Sequence, residues 1–93
     1  MSNTYQIYLI SDSTGETLDR IFLAIKAQFQ NINYEINTLS FTRTENQILK
    51  ILSNAEKNNN PIILYSIVDS QLAKYLANES NKKKFHVLVF WVI

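Results

Sequence analysis

The side chains able to do chemistry concentrate in one stretch, Ser11-Asp12-Ser13-Thr14-Gly15-Glu16-Thr17, which carries four hydroxyls, two carboxylates and the only glycine of the chain. An apolar run, Ile7-Tyr8-Leu9-Ile10, precedes it, and a helical pattern beginning near Leu18 follows it. A strand, a hydroxyl-rich turn and a helix N-terminus in that order favour an oxyanion, because unpaired backbone N–H groups and the positive end of the helix dipole meet there. Gly15 is the expected position of a tight turn at positive φ, which other residues adopt only with strain. Ser13 and Glu16 also have the spacing of a capping box, so helix capping and ligand contact both remain open for them.

The elements that must hold this loop alternate between strand and helix. Leu18, Ile21, Phe22, Ile25 and Phe29 recur at helical spacing, with Asp19, Arg20, Lys26 and Gln30 off that face. Tyr34 to Phe41 reads as a second strand whose alternation shifts near Thr38. Thr44 and Gln47 repeat the capping-box spacing ahead of Ile48, Leu49, Ile51, Leu52 and Ala55, a second helix that Asn58-Asn59-Asn60-Pro61 should stop. Ile62 to Val68 is a continuous apolar run, as expected of a central strand covered on both faces. Asp69 or Ser70 can cap a third helix carrying Leu72, Ala73, Leu76 and Ala77, which fades into Asn78-Glu79-Ser80-Asn81. Phe85 to Ile93 then offers a fourth strand.

This alternation predicts an α/β fold in three layers around a parallel sheet of about four strands, in the flavodoxin-like order 2-1-3-4. Ligands in such sheets lie beyond the carboxyl ends of the strands at the switch between strands one and three. Ser11 to Thr17, Thr42 to Thr44 and Ser66 to Ser70 should converge there. The candidate binding residues for a phosphoryl group or a target are therefore Ser11, Asp12, Ser13, Thr14, Gly15, Thr17, Arg43, Thr44 and Asp69. Arg43 is the cation suited to bidentate oxyanion binding, although an arginine on a surface loop is more often a solvent-exposed charge or, here, a partner for Asp12. Asp12 and Asp69 would repel an anion unless they point aside, pair with Arg43 or bind a cation, and Asp69 suits a helix cap better than a general base.

Composition excludes several classes. A 93-residue chain is one small domain or a piece of one, and 46% hydrophobic against 18% charged residues argues for a folded chain. A net charge of +1 makes no case for nucleic acid, and Lys82-Lys83-Lys84 reads as a solvated turn. With no cysteine there is no disulfide, thiolate nucleophile or sulfur-ligated metal, and no metal-ligand spacing is present. The N-terminus lacks a signal peptide and no run reaches the roughly 20 apolar residues of a membrane helix, so a cytoplasmic location is expected. His86, the only histidine, sits in an apolar run far from the loops and assembles no catalytic triad, while Phe90 and Trp91 are expected to pack. Gly15 is not followed by the glycine, lysine and hydroxyl of a P-loop. No catalytic residue is assigned.

Ile10 to Thr17 directly after a first strand resembles the opening signature of the pyruvate, phosphate dikinase regulatory protein family, which also includes regulators of phosphoenolpyruvate synthase. Ala27-Gln28-Phe29, Phe41-Thr42-Arg43-Thr44 and Leu64-Tyr65-Ser66-Ile67-Val68-Asp69 are similar to the family in the same order, and the resemblance covers residues 5–76. It implies a bifunctional regulator that phosphorylates a threonine of the dikinase or synthase with ADP as donor, and removes that phosphate by phosphorolysis with release of pyrophosphate. ADP and phosphate are thus implied for full-length members, with no cofactor expected in this chain. Two departures accompany the resemblance. The family's P-loop-like segment, of the form G-V-S-R-T-x-K-T, lies in a C-terminal domain absent from this sequence. Residues 82–93 diverge and lack the aspartate that the family carries near the end of its next strand.

The expectation is a single N-terminal α/β domain over residues 1–93, incomplete and inactive by itself, with a tendency to self-associate through an uncovered strand edge. The alternative is a small phosphate- or FMN-binding flavodoxin-like module without catalysis, suggested by Thr14-Gly15-x-Thr17 after a strand. Against it, Asp12 stands where a phosphate-binding hydroxyl is expected, and no aromatic pair is evident to sandwich a flavin.

Overall fold

The structure is a computed structural model and describes residues 4–28, 30–58 and 61–89. Phe29 of the expected helix face, Asn59 and Asn60 of the stop signal, and Phe90 to Ile93, Trp91 included, lie outside the described residues, as does the side chain of His86.

Strands and helices alternate as β1 (Tyr5–Ser11), α1 (Gly15–Gln28), β2 (Tyr34–Leu39), α2 (Glu45–Glu56), β3 (Pro61–Ser66), α3 (Ser70–Lys82) and β4 (His86–Val89). The four strands form a parallel sheet in the order β2-β1-β3-β4, the predicted order. β1 and β3 are central because both of their faces are apolar. Ile7 and Leu9 of β1, with Ile62 and Leu64 of β3, pack on Leu18, Ile21 and Ile25 of α1. Tyr8, Ile10, Ile63 and Tyr65 face the other way, onto Ile48, Ile51, Leu52 and Ala55 of α2 and Leu72 and Leu76 of α3. The two cores make the three layers, and each fully buried aliphatic side chain contributes about 1.5–3 kcal/mol.

Several boundaries differ from the sequence reading. β2 stops at Leu39, so Phe41 lies in the following loop, with φ of 55°. That conformation turns the chain so that the amides of Phe41 and Thr42 bond to the carbonyls of Ser13 and Ser11, at 3.2 and 2.9 Å. β3 ends at Ser66, leaving Ile67 and Val68 in the loop before α3. Helix α3 does not fade at Asn78 to Asn81 but continues to Lys82, since Glu79 bonds Lys82 at 3.0 Å and Glu56 of α2 bonds Lys83 at 2.9 Å. It ends in a Schellman motif. Lys84 sits in the left-handed region at φ of 59°, its N–H bonds to Asn81 O and that of Phe85 to Ser80 O, each at 3.1 Å. The lysine cluster is therefore a helix terminus with two ion pairs.

Candidate functional site

Pairing of Ser11 with Ser66 at the ends of β1 and β3 brings the loops after both strands together, and the loop after β2 joins them. This is the edge where the order of strands reverses. Asp12 holds the three loops to one another. Its carboxylate Oδ2 accepts from the amides of Val68 (2.9 Å) and Asp69 (3.4 Å), and its carbonyl accepts from Arg43 Nε (3.1 Å). The expected repulsion of an anion is thereby reduced, because the carboxylate is turned into the β3–α3 loop. Asp12 and Arg43 do associate, but through the backbone oxygen.

The hydroxyls divide into two groups. Ser11 is fully buried, and its Oγ accepts from the Ser13 amide at 3.1 Å, so it shapes the turn and is closed to a ligand. Thr42 is also buried and donates to Leu39 O at 3.2 Å. Ser13 Oγ lies 3.0 Å from Thr17 Oγ1, and both residues are half-buried. Thr14 and Gly15 are exposed at the start of α1.

Two expectations for this loop are corrected. Gly15 is the first residue of α1 and has no positive φ, and a Cβ there would meet nothing within 4 Å. Neither conformation nor space within the chain requires glycine, because the helix starts one turn earlier than the apolar pattern indicates. Ser13 and Glu16 do not form a capping box either, since Ser13 is held by Ser11 and Thr17 while Glu16 bonds Arg20 at 3.3 Å. With the helix beginning at Gly15, Thr14 occupies the position just before it.

The other predicted caps form. Thr44 Oγ1 accepts from Gln47 N at 3.2 Å, and Gln47 Oε1 accepts from the amides of Thr44 (3.0 Å) and Arg43 (2.7 Å), closing a capping box. Asp69 Oδ1 accepts from Leu72 N at 3.0 Å and caps α3. Thr44 and Asp69 thus build the loops, and Arg43 is the predicted binding cation, with donors still free on its side chain. Its guanidinium lies 5.1 Å from the centre of the Phe41 ring and carries no ion pair among the described residues.

Sequence reasoning passed over three residues here. The alternating pattern places Phe41 in a strand, and no residue type signals a bulky side chain at positive φ. The apolar run places Val68 in a core strand, yet it is 82% exposed. Spacing identifies Gln47 as a cap alone, yet its Nε2 also reaches Phe41 O at 3.4 Å. A cavity of about 290 Å³ opens beside Val68, between Tyr65 of β3, Ile67 of the loop that follows it, and Ala73 and Ala77 of α3. None of the nine predicted site residues lines it.

The fold and this edge define an open α/β domain with a hydroxyl-rich loop at its switch point. A model of the Kinase/pyrophosphorylase family matches residues 7–91, and the chain belongs to that family. A pyruvate, phosphate dikinase regulatory protein of Pelagibacter ubique (strain HTCC1062) is 70% identical over 84 residues, covering 90% of this chain and 31% of that protein. Similarly named proteins are 39% identical over 83 residues in Geotalea uraniireducens (strain Rf4; 89% and 30% of the two chains) and 42% identical over 74 residues in Alkaliphilus oremlandii (strain OhILAs; 80% and 26%). The chain therefore spans about a third or less of the length of the curated relatives it matches. Among the described residues, no helix is long and apolar enough to cross a membrane.

Proposed function

We propose that the chain takes part in regulating pyruvate, phosphate dikinase, and that its three-loop edge is the part that meets the dikinase or its phosphoryl group. The observation carrying this reading is the 70% identity to a protein named for that regulation, across 90% of the chain. The whole-length activity is ADP-dependent phosphorylation of a threonine on the target and phosphorolysis of the product. Phosphoenolpyruvate synthase is the other target class for such a regulator. The chain alone has neither activity, because its single glycine lies outside any glycine- and lysine-bearing phosphate loop.

At the edge, Arg43 is the residue that meets an anionic group, assisted by the exposed start of α1 at Thr14 and Gly15. Incubation of the purified chain with ADP and dikinase should leave dikinase activity intact, while a pull-down on immobilised dikinase should retain the chain. Threonine phosphorylation in the first assay would show that the chain is active by itself. Failure to bind in the second would overturn the proposed contact.

A further inference from the structure

Two non-glycine residues among those described have positive φ, and their circumstances differ. Lys84 closes the Schellman motif of α3, where a left-handed residue is required and the lysine side chain reaches solvent. Phe41 closes no helix. Its backbone conformation joins the β2–α2 loop to the β1–α1 loop through Phe41 N to Ser13 O and Thr42 N to Ser11 O. The ring contributes nothing comparable, being 49% exposed and belonging to neither core. Asparagine or glycine would serve the same bend with less strain, so a large aromatic side chain is held at the surface against the local backbone preference.

The Arg43 guanidinium lies 5.1 Å from the centre of that ring, within cation–π range. Arg43 commits only Nε, to Asp12 O, and no carboxylate among the described residues neutralises it. The carboxylate of Asp12, whose carbonyl Arg43 bonds, is occupied by the amides of Val68 and Asp69. With only Nε committed, the terminal amino groups of Arg43 stay available for a contact with an acid. Val68, tied to the same Asp12, adds an apolar side chain that is 82% exposed. An inorganic anion would use Arg43 but leave both apolar groups in water.

We infer that Phe41, Arg43 and Val68 form a docking surface for a segment of the partner protein in which a carboxylate lies beside apolar side chains. Aromatic and arginine side chains of this kind dominate the energetics of protein interfaces. The occupant is the dikinase, so the inference rests on the proposed function.

The test compares the full chain with Phe41→Asn, Arg43→Gln and Val68→Ser in binding to immobilised dikinase and in thermal unfolding. Phe41→Asn should weaken binding about tenfold or more while its thermal midpoint stays equal or rises, since asparagine tolerates the left-handed region. Arg43→Gln should weaken binding and flatten its dependence on salt. Val68→Ser should weaken binding without lowering the midpoint.

Unchanged affinity in Phe41→Asn would overturn the docking surface while leaving the proposed function standing. A midpoint several degrees lower would also overturn it, by showing that the ring is structural. Absence of binding by the unmutated chain would remove the proposed contact and the docking surface together. Sedimentation of the chain alone is the final control, because a dimer abolished by Phe41→Asn would identify a second copy as the occupant and overturn the choice of the dikinase.

Discussion

Asp12 shows how much one side chain can organise at this edge. Both its carboxylate and its carbonyl are used, and the groups they hold belong to different loops. Replacing it with alanine removes the acceptor of the Val68 and Asp69 amides, which water can partly replace because both bonds are exposed, and should destabilise the fold by about 0.5–1.5 kcal/mol in denaturant unfolding. Asp12→Asn keeps an acceptor oxygen and should lose less. Gly15 makes the opposite prediction. Its φ is not positive and a Cβ meets nothing within 4 Å, so Gly15→Ala should stabilise α1 by about 0.4–1 kcal/mol, measured as a higher thermal midpoint. A fall in that midpoint would show that glycine is needed for the fold.

Element boundaries follow from capping chemistry wherever the cap is local. The Thr44-x-x-Gln47 box and the Asp69 cap were legible because each joins residues three apart in sequence, and both form. Ser13 and Glu16 have the same spacing but fail, because Ser11 and Thr17 engage Ser13 and Arg20 engages Glu16. Thr44→Ala should therefore cost about 1 kcal/mol of stability, and the comparison with Ser13→Ala tests whether only the first residue is a true cap. At the other end of α3, Lys84→Gly should stabilise by about 1 kcal/mol, since it relieves a left-handed lysine without losing a backbone hydrogen bond.

For the whole molecule, alternation of apolar runs with amphipathic patterns was enough to predict the layers and the strand order. The two-faced runs of β1 and β3 had to be central, and α1 had to cover the face left by α2 and α3. Burial of two tyrosines also ties stability to alkaline pH. Tyr8 and Tyr65 have pKa values raised by burial, with the Asn58 hydrogen bond partly opposing the rise at Tyr8. A raised native pKa means that the unfolded chain loses these protons first. Their contribution is therefore fully present below the ordinary tyrosine value of about 10 and is lost as pH rises above it. Urea midpoints measured across neutral to strongly alkaline pH should be unaffected by these two groups until about pH 10 and then fall, with Tyr65→Phe reducing the slope.

The sequence by itself determined the α/β class, the parallel order, two of the helix caps and the position of the hydroxyl-rich loop, because these depend on periodicity and on residues close along the chain. Only the tertiary structure decided which of the nine expected site residues remain able to meet a partner. Ser11 is buried, Asp12 is used in joining loops, and Arg43 keeps free donors beside a phenylalanine that the sequence placed in a strand. Those assignments rest on hydrogen bonds between loops as many as 57 residues apart, a separation at which residue type and spacing carry no information about who bonds whom.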